Sequence, residues 1–167
     1  LRAMLKRDST AAGLTNVDVN NVIRLVERIA HGDANLHQVT VHLELSADVR
    51  PVKGDSVQLQ QVILNLMLNA FSAMSGTGLD GERCLIVRTN SIDESNVLVQ
   101  VQDSGTGIAA ENLESIFDPF ITSKPEGLGM GLSICRSIIE RHGGKISAAN
   151  NPDRGAKFSI VLPVTRE

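Results

Sequence analysis

Two periods organise the apolar positions of the chain. Val19, Val22, Ile23, Val26, Ile29 and Ala30 recur at steps of three and four, which predicts an amphipathic helix. Asp18 is placed to cap it, and His31-Gly32-Asp33 to end it. The period then changes to strict alternation. Val39, Val41, Leu43 and Leu45 point one way and Thr40, His42 and Glu44 the other, which is a strand with one covered face. RPVKGD, at 50–55, reads as a short strand or turn. A second helix is predicted over 56–74, with Asp55 as its cap and Gln58 three residues on, close to a capping box. Strands at 85–89 and 97–101 follow, joined by the polar turn SIDESN.

From 104 to 131 the chain is rich in Gly, Pro and Ser, with one short helical piece near 111–115. A loop region that long in a compact domain points to function. Residues 132–142 form a third predicted helix, with Leu132, Cys135, Ile138 and Ile139 on its apolar face and Arg136 and Glu140 able to pair outside. Gly143-Gly144 stops it. KISAAN and AKFSIVLPV are closing strands around the turn NPDRG. The expected architecture is α/β: a two-layer sandwich whose mixed, mostly antiparallel sheet is covered on one face by about three helices.

Composition narrows this picture. The 167 residues suit one domain, and a hydrophobic share of 42% excludes a disordered chain. With no Trp or Tyr and four Phe, the core is aliphatic. A net charge of −3 argues against nucleic acid as a partner. No apolar run reaches the roughly 18 residues of a membrane span. Cys84 and Cys135 match no metal or redox spacing and read as buried free thiols, which fits a cytosolic setting. The chain starts mid-pattern and without Met, so it is expected to be a fragment of a longer protein. Residues 1–16 then read as a linker or the end of a preceding hairpin, and 17–167 as the domain proper.

Three stretches carry candidate chemistry. The helix at 56–74 is apolar nearly all round except for Gln58, Gln61, Asn65, Asn69 and Ser72, spaced three, four, four and three apart on one edge. That edge either faces solvent or lines a cleft, where a neutral amide oxygen suits a hard cation beside phosphates. In VQDSGTGI a strand ends at Asp103, an acceptor suited to an exocyclic amine, and Gly105 and Gly107 let backbone approach a flat ring; the same pattern also occurs in ordinary turns. In GLGMGL, Gly127, Gly129 and Gly131 precede a helix start, where free N–H groups bind anions. A P-loop signature is absent. A mobile linker is the alternative there, and Lys124 upstream is either a phosphate contact or a solvated charge.

Read together, NLMLNA, DSGTG, FDPFITSK, GLGMGL and GAKF resemble the ATP-binding catalytic domain of two-component sensor histidine kinases, over about residues 17–163. The wider superfamily includes DNA gyrase B, the Hsp90 chaperone and the MutL ATPases, with the Bergerat-type ATP-binding fold. The resemblance implies ATP and Mg²⁺ as ligands. It implies that Asn69 holds Mg²⁺, that Asn65 lies beside the phosphates and the reacting end, and that Asp103 binds adenine N6. Gly105, Gly107 and Ile108 would shape the base pocket, with Gly155 nearby. Phe117 and Phe120 would belong to a mobile lid spanning 111–131, and Lys124 would reach the phosphates. Gly127, Leu128, Gly129, Met130, Gly131 and Leu132 would wrap the triphosphate.

The resemblance also implies a homodimer whose helical hairpin carries the phosphoacceptor His, and a response regulator that receives the phosphoryl group on Asp. None of His31, His37, His42 and His142 is followed by an acidic residue, so that acceptor is expected outside this chain. Rival readings are a clamp ATPase, which usually needs a Glu base where Asn65 stands, a protein-serine kinase, and a non-catalytic interaction module.

Overall fold

The computed structural model describes residues 13–76, 80–120 and 131–166. Among these residues seven strands and three helices occur in the order β1 (Thr15–Val17), α1 (Val19–Leu36), β2 (Thr40–Leu45), β3 (Val52–Gly54), α2 (Ser56–Met74), β4 (Cys84–Ser91), β5 (Asn96–Asp103), α3 (Gly131–Arg141), β6 (Lys145–Asn150) and β7 (Ala156–Pro163). The main sheet has the order β2-β4-β5-β7-β6. Only β2 and β4 pair in parallel; the other neighbours are antiparallel. The parallel pair is forced by α2, which carries the chain across the sheet between those strands. The three helices pack on one face, as the alternation predicts.

α2 lies between α1 and α3 and over the sheet, which explains its breadth of apolar residues. Leu59, Val62, Ile63, Leu66, Met67, Ala70, Phe71 and Met74 are all buried. Burial of one such large side chain contributes about 1.5–3 kcal/mol. Asp55 caps the helix by accepting from the N–H groups of Val57 and Gln58. Gln58 does not return a bond in the manner of a capping box. The Asp55 N–H instead donates to His142 Nε2.

Four expectations change. α1 does not stop at 31–33 but runs to Leu36, because Ala30 and Ala34 extend its buried face past Gly32; packing outweighs a glycine cost of about 1 kcal/mol. His31 therefore sits within α1, 3.9 Å from Glu27, and His37 is the helix C-cap, stacked on Phe71. β1, read as part of a connector, pairs antiparallel with β3 and buries Val17. The helical piece near 111–115 is a single 3₁₀ turn at Ala110–Asn112. Cys84 is half-buried, whereas Cys135 is buried. Among the described residues no helix is long and apolar enough to cross a membrane.

Candidate nucleotide site

Asp103 is the last residue of β5, where the pleat turns its side chain toward the helices. It is 5% exposed. Its Oδ1 accepts the N–H of Gly105 at 2.8 Å and of Ala156 at 3.2 Å. No hydrogen bond from the described residues reaches Oδ2. Burial pushes the carboxyl above its ordinary range, and the two N–H bonds oppose that rise. One oxygen is thus fixed by the fold and the other is available to a donor such as an exocyclic amine.

Two glycines allow this arrangement by close approach. Gly155 has φ +86°, and a Cβ there would overlap the Asp103 carbonyl oxygen. Gly105 packs on α2: a Cβ would lie 2.6 Å from the Ala73 carbonyl oxygen. Its smallness therefore serves the contact between loop and helix, a different cause from the ring approach read in the sequence. Thr106 N–H also donates to that carbonyl, at 3.4 Å.

Asn65, Asn69 and Ala73 follow one another at steps of four along one edge of α2. At one end of this edge, Asn65 Nδ2 donates to Cys135 Sγ of α3 at 3.7 Å. At the other, Ala73 meets the loop after Asp103. Asn65, Asn69 and Ser72 are half-buried, while Gln61 is exposed. The polar line is therefore a rim joining α3 to Asp103, with solvent at its Gln61 turn. The Cys135 thiol bonds to the Val62 carbonyl, and burial pushes its pKa up to about 11.

Gly131 and Leu132 open α3, with Gly131 exposed and Leu132 half-buried. Gly107 leads to Ile108, whose N–H and carbonyl are both held by the Asn150 amide at 2.7 Å. Phe117, expected in a lid, is instead a core residue: it is 6% exposed and sets its ring edge against Phe158. Phe120 is 73% exposed. Lys124, Gly127, Leu128, Gly129 and Met130 lie outside the described residues. A groove of about 360 Å³ lies elsewhere, beside β1 and the starts of α1 and α2, and is lined by none of the predicted site residues.

The supporting residues were not singled out in the sequence. Asn151 Nδ2 donates to the carbonyls of Asp103 and Arg154 at 2.9 and 3.1 Å. Ser104 Oγ donates to the Glu82 carbonyl at 3.1 Å and accepts the Cys84 N–H at 3.0 Å. Arg154 donates to the carbonyls of Asp80 and Glu82. For Asn151 and Arg154 the only local signal was the Asn-Asn-Pro-Asp-Arg-Gly turn, which tells of a turn but not of its partner.

The family of histidine kinase-, DNA gyrase B- and HSP90-like ATPases matches residues 54–166. The sensor histidine kinase ZraS of Escherichia coli O157:H7 is 37% identical over 155 residues, which are 93% of this chain and 32% of that protein. The chain spans about a third of the length of the first curated relatives it matches. Among solved structures, the catalytic domain of histidine kinase ThkA gives a TM-score of 0.78 at 32% identity, covering 90% of this chain and 95% of that one. ThkA in complex with the response regulator protein TrrA gives 0.77 at 29% identity, covering 98% and 46%. The chain therefore belongs to the histidine kinase-, DNA gyrase B- and HSP90-like ATPase family, as a catalytic domain of the histidine kinase kind.

Proposed function

We propose that residues 17–167 bind ATP with Mg²⁺ as the kinase domain of a longer, homodimeric protein that phosphorylates one of its own histidines. The observation that carries this reading is Asp103, a buried carboxylate with Oδ1 committed to two backbone N–H groups and Oδ2 left as an acceptor. In this reading Asp103 accepts from the adenine amine, and Gly105, Gly107 and Ile108 border the base. Asn65 lies beside the phosphates, and Asn69 holds Mg²⁺ through its amide oxygen. The start of α3, with Gly131 and Leu132, directs free N–H groups at the phosphates together with the 127–130 stretch. Lys124 brings its positive charge to the phosphates.

When bound, ATP would supply its γ-phosphoryl group to a neutral imidazole nitrogen on a separate helical hairpin, the bond to the β-phosphate oxygen breaking and ADP leaving. The residues here do what such transfer chiefly needs: they position groups and neutralise charge. A response regulator Asp then receives the phosphoryl group; the complex of the related ThkA with TrrA supports that partner. A cytosolic placement suits this chemistry.

The reading is tested by calorimetric titration with ATP, with and without Mg²⁺, followed by γ-phosphate labelling with the preceding hairpin restored. Magnesium-dependent binding and acid-labile label on His are expected. Absence of binding would contradict it, and steady hydrolysis without any acceptor would favour the clamp ATPase.

A further inference from the structure

His142 takes no part in the reading above, yet both of its ring nitrogens are engaged. It follows α3 directly and is 7% exposed. Nε2 accepts the Asp55 N–H at 3.0 Å, and Nδ1 lies 2.7 Å from the Ile138 carbonyl oxygen. These partners assign the neutral tautomer, with the proton on Nδ1 donated to Ile138. The bond to Asp55 spans the fold: it takes the one donor at the α2 cap that a capping-box Gln58 would have satisfied. Gly54 makes the room. A Cβ at that position would lie 2.7 Å from the ring Cδ2 and 3.0 Å from Nε2.

A second tie joins the same helices, from Asn65 to Cys135. The two ties occur in opposite order along α2 and α3, so the helices run antiparallel. Asn69 is one turn beyond Asn65, and Gly131 is one turn before Cys135. Continuing the order brings them to the same end. The register of α3 on α2 therefore sets where the start of α3 stands relative to Asn65 and Asn69.

We propose that His142 is a positioning residue for the phosphate half of the nucleotide site, acting by fixing the register of α3 on the α2 cap. This rests on the ATP reading for its readout. The Asp103 half hangs from the β5–β7 pairing rather than from α3, so the effect should divide along the nucleotide: phosphates are affected and the base is not.

The test titrates Mg-ATP and, separately, adenosine into the wild type, His142→Phe and His142→Gln. The temperature is one at which melting curves show every variant folded. His142→Phe fills the space but leaves Asp55 without an acceptor; His142→Gln offers its Oε1 in place of Nε2. Mg-ATP should bind His142→Phe about tenfold more weakly, the scale of one lost buried hydrogen bond. His142→Gln should recover most of that loss, and adenosine should bind all three alike. If His142→Phe does not fold, Gly54→Ala, which displaces the ring, should give the same loss for Mg-ATP alone. Unchanged Mg-ATP affinity, an equal loss for adenosine, or no recovery with Gln would each overturn the proposal. A wild type that binds neither ligand would instead overturn the ATP reading, and this proposal with it.

Discussion

The two halves of the candidate site are held by different means. Around Asp103 most restraints fall on the backbone of β5 and its loops: N–H bonds from Gly105 and Ala156, Gly155 pressed against the Asp103 carbonyl, and one side chain, the Asn151 amide, donating to that carbonyl. At Asn65 the tie is a side-chain bond between two helices, a long one to the Cys135 sulfur. Strand register fixes the first half, because paired strands cannot slide without losing their ladder. The second half depends on how α3 sits on α2, and helix packing tolerates small shifts. A strand-fixed Asp103 beside a rim set by helix packing suits the proposed site, which would hold one end of ATP while presenting the other for transfer.

The largest expected break in this contrast is Gly155→Ala. It forces a positive φ on a residue with a side chain and overlaps the Asp103 carbonyl. A stability loss of at least about 2 kcal/mol is expected, read as a lower melting temperature. A variant as stable as the wild type would show that the base half is not so tightly built.

Asn69→Ala should act on the other half alone. Mg²⁺-dependent ATP binding should fall about tenfold while adenosine binding is kept, as for one lost polar partner of a charged group. Normal metal dependence would remove Asn69 from the site.

Acidity sharpens the comparison further. Burial holds the Asp103 carboxyl above its usual range. Its contribution to stability is therefore complete below the ordinary carboxylate pKa and is lost as pH rises through the raised value. Melting curves of the wild type across that window should show this decline, and Asp103→Asn should lack it. The opposite slope would contradict the assigned burial.

The smallest effect concerns Cys135, whose thiol is buried under Asn65 with a pKa pushed up to about 11. Alkylation of folded protein at pH 8 should be slow, and bound Mg-ATP should slow it further by steadying α2 on α3. Rapid labelling that ignores nucleotide would show that the helix contact is looser than described.

Local signals made much of this legible in the sequence. Asp18 and Asp55 cap their helices, α2 spans the stretch its apolar run predicts, and Asp103 ends a strand beside the glycines that shape its surroundings. What escaped depends on distant partners. β1 has only three residues, too few to show a period, and exists because β3 lies beside it. Gly32 looks like a stop until Ala34 is seen to be buried. His142 on Asp55 and Asn151 on Asp103 join residues 87 and 48 positions apart. Phe117 sits in a loop that reads as mobile, and only Phe158 reveals it as core. The stretch 121–130, with Lys124 and most of the glycine run, lies outside the described residues and keeps its sequence reading alone.

The most direct measurement is ATP affinity in Asp103→Asn at neutral pH. The amide can keep both bonds to Oδ1 and removes a buried charge, but it sets an N–H₂ donor where Oδ2 would meet the adenine amine. ATP should bind at least about tenfold more weakly, the scale of a lost hydrogen bond to a charged group, while the melting temperature does not fall. Unchanged affinity in a folded variant would mean that Asp103 does not read the base, and the account of this site would be wrong.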